Sequence, residues 1–308
     1  MSTPSLLART AMEKGIIVIG GAGGVGKTTT AAALAYQSAI ETSRSVLVIT
    51  IDPAKRLASA MGVGAIGHRP TTIALPEGAK GSLAASMVDM KLAWDGMIER
   101  CAPDPAVAKR ILANPMYESI SSRFVQSHNY IAVEVLHQFV NDGVYDLIVV
   151  DTPPSRRAMD FLDAPGRMDE FFSSRLLRWL TIPGRSRVLM AAFRPFYAIA
   201  ERIIGTNALE QLSSFFLDFQ LLYDGFVERA KEVDHMLHSG SAGFVVVTTP
   251  EESPTTEARS LLSALETRGF SVSCVVMNRS LPDDVFSEGA DRVASELIAR
   301  GGSLAHEL

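Results

Sequence analysis

Cysteine is almost missing from this chain: its 308 residues include two, Cys101 and Cys274, far apart in sequence. A disulfide framework is therefore excluded as a source of stability, and a reducing compartment, the cytoplasm, is expected. A structural zinc site closed by four thiolates is excluded too, so no zinc is expected. The six histidines (His68, His128, His137, His235, His238 and His306) show no metal-ligand spacing. His235 and His238 lie three apart on a helical pattern without carboxylates or cysteines grouped around them, and both read as surface residues. No uncharged apolar run reaches the roughly 18 residues of a membrane span. The first residues also lack the apolar stretch of a secretory signal. A net charge of −5 offers no global case for a membrane or nucleic acid, and no nucleic-acid partner is expected.

What is present is apolar and regular. Hydrophobic residues make up 47% of the chain and charged ones 20%, enough to bury the core of one large α/β domain with helical insertions. Short apolar runs, as buried parallel strands have, are expected as strands at Ile16–Gly20, Ser45–Asp52, Ser82–Met90, Asp146–Asp151, Gly243–Thr248 and Ser271–Asn278. Helical patterns such as Thr28–Thr42 and Thr255–Arg268 separate most of them. This alternation predicts a doubly wound parallel sheet of the P-loop NTPase kind with helices on both faces. Two stretches interrupt the strand rhythm, at about 93–142 and 155–240. Both read as helices broken at prolines, among them Pro103, Pro105, Pro115, Pro165, Pro183 and Pro195, and together they predict a helical subdomain within a single domain spanning 1–308.

Between the first strand and the first of these helices, Gly21 to Thr28 satisfies G-x-x-x-x-G-K-[ST]. Small residues let consecutive backbone N–H groups turn toward phosphate oxygens, and the following helix adds its positive end. Gly23, Gly24, Val25, Gly26, Lys27, Thr28 and Thr29 are the expected phosphate cradle, with the Lys27 charge on the β/γ-phosphates and the Thr28 hydroxyl left for Mg²⁺. Two aspartates, Asp52 and Asp151, close apolar strands, where ligands bind in open α/β sheets. A carboxylate placed there holds Mg²⁺ through its water shell. The plainer alternative is that each caps the next helix, which Pro53 makes credible for Asp52. Their proximity in the sheet to a phosphate loop favours the metal and nucleotide roles.

The loop resembles the deviant Walker A of SIMIBI-class ATPases, K-G-G-x-G-K-[ST]. Asp52-Pro53-Ala54 resembles the D-P-A switch I of the arsenical pump-driving and tail-anchored-protein targeting ATPases. Asp151-Thr152-Pro153-Pro154-Ser155 resembles their switch II, and Val275-Val276-Met277-Asn278-Arg279 resembles their adenine-side strand. The likeness spans Gly20 to Arg279 and implies ATP and Mg²⁺ as ligands, ATP hydrolysis, and a dimer closing face to face. By that resemblance Asp52 orients the attacking water, Asp151 and Thr28 hold Mg²⁺, and Asn278 with Arg279 reads the base. Lys27 with Asp52 forms the catalytic pair.

Three departures qualify the likeness. Ala22 stands where the family has the lysine that crosses to the partner's phosphates, an arginine-finger role worth on the order of 10³–10⁵ in rate. Slow turnover as a homodimer, or a heterodimer with a lysine-bearing paralogue, is therefore expected, and the heterodimer is favoured. Arg156-Arg157 replaces the Gly-His of switch II, and the zinc-sharing C-x-x-C is missing. Arsenite binding in the pump ATPases uses clustered cysteines, so an arsenite ligand is disfavoured, with Cys274 expected as a small buried hydrophobe. The combination resembles a bacterial branch lacking both metal features, which pairs an Ala-bearing subunit with a lysine-bearing one. About thirty residues follow Asn278. The family has a further strand and an adenine-covering loop there, so an incomplete adenine pocket is expected unless the chain continues.

Arginines from Arg156 to Arg202 interleave with Phe161, Phe171, Phe172, Trp179, Phe193 and Phe196. A resembling region binds clients in the family, so an apolar protein segment or peripheral membrane contact is one reading. An ordinary subdomain with a solvated arginine face is the reading that helical spacing favours. Three functions follow: an ATP-dependent switch coupled to a client or partner, a non-hydrolysing ATP-sensing subunit of a heterodimer, and, least favoured, the ATPase subunit of an anion pump.

Overall fold

In a computed structural model, residues 6–51, 56–117, 128–152, 202 and 205–280 are described. Their strands are β1 (Ile16–Gly21), β2 (Ser45–Thr50), β3 (Thr71–Thr72), β4 (Ser82–Met87), β5 (Leu147–Asp151), β6 (Ala242–Thr248) and β7 (Val272–Met277). They form one sheet in the order β3-β4-β2-β5-β1-β6-β7, parallel throughout except where β3 joins β4. The α/β class and doubly wound parallel sheet are as expected from the sequence.

The apolar runs have a direct structural cause. Along β1, Ile16 and Val18 enter one core while Ile17 and Ile19 enter the other, and β2, β5 and β6 divide their residues in the same alternating way. Both sheet faces are buried, so neither strand face requires polar residues. On one face lie α1 (Leu6–Glu13), α2 (Lys27–Glu41) and α3 (Arg56–Ala60). Helix α2 turns Ala31, Ala32, Ala35 and Ala39 inward, and those small side chains let its backbone lie close to the strands.

The other face carries α4 (Met90–Cys101), α5 (Pro105–Ala113), α6 (His128–Asn141), α7 (Thr206–Gln220), α8 (Tyr223–His238) and α9 (Glu252–Thr267). Their apolar side chains share one continuous core with the sheet, in which Trp94, Met97, Phe215, Phe219 and Phe226 meet Leu47, Ile49 and Val150. Phe215 and Phe219 stack at 5.4 Å. Helix α4 packs against α5, α6 and α8, so residues before and after β5 meet in one layer.

That layer also buries charge. Glu134 of α6 is 1% exposed, and its Oε1 accepts from Arg100 Nε at 3.2 Å and Arg229 Nε at 2.7 Å. Beside it, His137 meets Arg229 at Nδ1 (3.4 Å) and the Asn141 amide at Nε2 (3.2 Å). Cys101 lies next to this cluster, and burial, then Glu134, pushes its thiol up to about 12.

Several boundaries differ from the sequence expectation. The strand expected at Ser82–Met90 ends at Met87, because Asp89 caps α4 by accepting from the Lys91 and Leu92 amides. Helix α9 starts at Glu252 instead of Thr255, since Pro254 falls in the first turn, where no N–H is needed. The strand expected at Ser45–Asp52 ends at Thr50, and residues 52–55 lie outside the described ones. Helix α1 and the two-residue β3 had no counterpart in the sequence reading, and α3 lies where the alternative reading of Asp52 expected a helix.

Candidate functional site

Strand β1 lies between β5 and β6, and its C-terminal end is where the sheet order reverses: β2 lies beyond β5, while β6 lies on the other side. That switch point is the expected ligand crevice of a doubly wound sheet. The loop from Gly21 to Lys27 occupies it. Gly21 has φ 148°, and a Cβ there would collide with the Val247 carbonyl of β6, so glycine is obligatory. Gly26 caps α2 in the left-handed conformation, at φ 97° and ψ 23°. Val25 is buried as the loop's apolar anchor, while Gly23 and Gly24 stand exposed at the rim. Nothing lies within 4 Å of a Cβ built on Gly24, so the mouth of the loop is open.

Lys27 is buried, and its Nζ donates to the Ala22 carbonyl at 2.7 Å. The ammonium thus crosses the loop from its end back to its beginning. Ala22 itself is only 4% exposed, its methyl group packed into the core of the α1–α3 face. Thr29 is exposed on the first turn of α2.

Asp151 ends the central strand β5, in register with Thr50 of β2 and Ile19 of β1. Its Oδ2 accepts from the Thr28 hydroxyl at 2.8 Å and from the Thr50 hydroxyl at 3.0 Å. Thr152 follows and donates through Oγ1 to the Ile19 carbonyl at 2.7 Å, tying the chain to β1. Thr50 was not among the expected site residues. The available signal was a hydroxyl at the end of an otherwise apolar strand, which becomes meaningful only once β2 and β5 are known to be neighbours.

The donor set near Thr28 suits Mg²⁺, a hard cation that takes oxygen ligands: a hydroxyl and a carboxylate oxygen lie in contact at the N-terminus of α2. Among the described residues, no group of three or more His, Cys, Asp or Glu is arranged to hold a metal ion. Asp52 lies outside the described residues. Ile51 just before it is buried, and its N–H donates to the Asp151 carbonyl at 3.3 Å.

Asn278 follows β7, and its Nδ2 donates to the Val25 carbonyl inside the phosphate loop at 2.8 Å. Arg279 is exposed at φ 56°, an uncommon left-handed conformation for a residue with a side chain. Cys274 is buried in β7, and burial raises its thiol pKa. The arginine-rich stretch 156–202 lies outside the described residues apart from Arg202, which is exposed. No helix among the described residues is long and apolar enough to cross a membrane.

A family model described as anion-transporting ATPase matches residues 14–295. A putative arsenical pump-driving ATPase of Aquifex aeolicus is 22% identical over 89% of this chain and 65% of its own length. An ATPase ASNA1 homolog of Trypanosoma cruzi is 26% identical over 94% of this chain and 82% of its own. The ATPase get3 of Schizosaccharomyces pombe is 28% identical over 67% of this chain and 56% of its own. The chain thus spans a little less than two thirds of the length of the first of these.

Proposed function

This chain belongs to the anion-transporting ATPase family, and from that premise we propose that it is an ATP-binding and ATP-hydrolysing dimeric switch coupled to a protein client or partner. The observation that carries the reading is the Thr28–Asp151 contact at the end of β1 and β5. It joins the helix that starts at the phosphate loop to the central strand, so a ligand at either group acts on both. Lys27 exchanges the Ala22 carbonyl for β/γ-phosphate oxygens, a stronger, charge-assisted pairing. Thr28 and Asp151 hold Mg²⁺, which supplies charge neutralisation at those phosphates. Asp52 orients the attacking water, and Asn278 with Arg279 meets the base. Thr152, next to Asp151, is tied to β1 through the Ile19 carbonyl, so a change at the phosphates reaches both strands.

Ala22 defines the second reading. With a buried methyl where the family has a lysine, the loop has no side chain to offer a partner's phosphates. We therefore favour a heterodimer with a lysine-bearing paralogue, cytoplasmic in location; an apolar client or a membrane surface at the arginine-rich stretch of the helical subdomain is the less favoured reading beside a solvated face. A non-hydrolysing ATP sensor is the alternative that the same residue supports. An arsenite pump subunit is disfavoured, since the two cysteines are both buried and belong to different elements, α4 and β7.

Two measurements test this. Calorimetry should detect MgATP binding that Lys27→Ala weakens; binding unaffected by that change would sink the phosphate-loop assignment. Steady-state turnover of the purified chain alone should be slow and should rise when a lysine-bearing paralogue is added. Turnover of the chain alone on the order of 10 s⁻¹, an ordinary enzyme rate, would remove the argument from Ala22.

A further inference from the structure

The position of Asn278 is fixed twice. Its backbone N–H donates to the Thr248 carbonyl at the end of β6, at 2.8 Å. Its side-chain Nδ2 donates to the Val25 carbonyl, also at 2.8 Å. The same amide occupies the space where a Cβ on Gly26 would fall, so side chain and loop backbone are in direct contact.

The Val25 carbonyl has a specific need for this donor. Gly26 is the residue that caps α2, and its carbonyl is taken by the Thr30 amide at 2.9 Å and the Thr30 hydroxyl at 3.0 Å. Val25 lies one residue before the cap, where no helical N–H reaches its carbonyl. A backbone acceptor at such a place is satisfied by a side chain or by water. Here the donor comes from the residue just after β7, the strand two places away in the sheet, across β6 from β1. The hydrogen bond thereby holds the left-handed turn at Gly26 from which Lys27 leaves the loop.

A carboxamide carries two N–H donors and one acceptor oxygen. One N–H is committed to Val25, which leaves the other N–H and Oδ1 as the pair that would face a base. We infer that Asn278 is a positioning residue for the phosphate loop, in addition to any contact with a base. Removing its amide therefore weakens ligands that have phosphates and no base. The inference rests on the phosphate-binding reading of this loop, and its test separates the two.

The experiment measures binding of Mg–tripolyphosphate, which has no base, and of MgATP to the full chain and to Asn278→Ala. The expected result is a loss of about 5–30-fold for both ligands, the range for one buried hydrogen bond. Amide hydrogen exchange of the Ala22–Thr29 segment in the protein without nucleotide should also speed up in the variant. Asn278→Asp, nearly isosteric, replaces the donor with an acceptor facing a carbonyl. It should lose at least as much, and it provides the reading if the alanine variant does not fold. Loss of MgATP binding alone, with tripolyphosphate binding and exchange of the loop unchanged in a folded variant, overturns the inference and assigns Asn278 to the base. Failure of the unsubstituted chain to bind either ligand overturns the phosphate-loop reading and the inference together.

Discussion

Lys27 and Asp151 at the ends of the parallel strands, and Glu134 in the helical layer, are all buried charges, yet their hydrogen-bond partners among the described residues differ in kind. Lys27 donates to a backbone carbonyl, and Asp151 accepts from two threonine hydroxyls. Neutral partners of this sort are exchanged for a ligand's charged oxygens at little cost, because the incoming hydrogen bonds are the stronger ones. Glu134 instead lies between two guanidinium groups, one from α4 and one from α8. Those partners belong to the packing of three helices, and no ligand replaces them without parting the helices. On the proposed reading, buried charge at the first place serves the ligand, and at the second it fixes which helices meet.

Two histidines of the helical layer, His137 and His238, show the same contrast on a smaller scale. Both ring nitrogens of His137 face N–H groups, from Arg229 and Asn141, and its pKa is lowered, with burial the largest cause. The ring also lies 3.5 Å from a Glu232 carboxylate oxygen, which does not offset that burial. Both ring nitrogens of His238 face carbonyl oxygens, of Asp234 at 2.9 Å and Arg268 at 3.0 Å, and its pKa is raised by those two contacts, Arg268 first. His238 was expected as a plain surface residue. Exposed as it is, it joins the C-terminal ends of α8 and α9 and stacks on Phe270 at 4.3 Å.

The contrast is broken most directly at Lys27. Lys27→Ala should lower turnover by on the order of 10²–10³-fold, as removal of one transition-state donor does, and leave the melting temperature nearly unchanged. A large drop in melting temperature would place Lys27 with the structural charges. Glu134→Ala should do the reverse. Arg100 and Arg229 would be left without their shared carboxylate, but their side chains keep 28% and 19% exposure, so the loss falls below that of a fully buried pair. About 2–3 kcal/mol, or a melting temperature about 5–10 °C lower, is expected, with MgATP affinity retained. Equal affinity loss in both variants would erase the distinction.

Thr50→Val, similar in shape, deletes one of the two hydroxyls on Asp151 and should cost about 1 kcal/mol of stability, with a few-fold slower turnover. Thermal melts and steady-state rates check both halves. The smallest expected effects concern pH, and the two histidines act with opposite sign. His238, with its pKa raised in the folded state, adds stability that is fully present below its ordinary value of 6.5 and is lost as pH rises through the raised value. His137, with its pKa lowered, contributes stability that is present above 6.5 and lost as pH falls through the lowered value. Melting curves from pH 5 to 8 should therefore tilt in opposite directions in His238→Gln and His137→Gln, each by on the order of 1 °C. A tilt in the same direction for both would contradict the hydrogen-bond geometry.

Much of the nucleotide end was readable in advance because its signals are local. Glycines, a lysine and a threonine at fixed spacing after an apolar strand carry their mechanism within a dozen residues. Asp151 was singled out by the same logic, as a carboxylate closing an apolar run, and it does end β5. Element ends were less legible, since Asp89 as a cap and Pro254 in a first turn both shift a boundary without changing hydrophobicity. The two-residue β3 offers no periodicity at all. Glu134, Arg100 and Arg229 were not identified, because a buried ionic cluster assembled from three helices has no spacing to read.

By itself, the amino-acid sequence determined the α/β class, the phosphate loop and the identity of its principal side chains, for each follows from short-range patterning of apolar, small and charged residues. The tertiary structure alone decided that Thr50 shares Asp151 with Thr28, that Asn278 supports the loop from across β6, and that Glu134 holds three helices together. Those contacts depend on which strands and helices become neighbours, and that order is set by burial of both sheet faces over the whole chain.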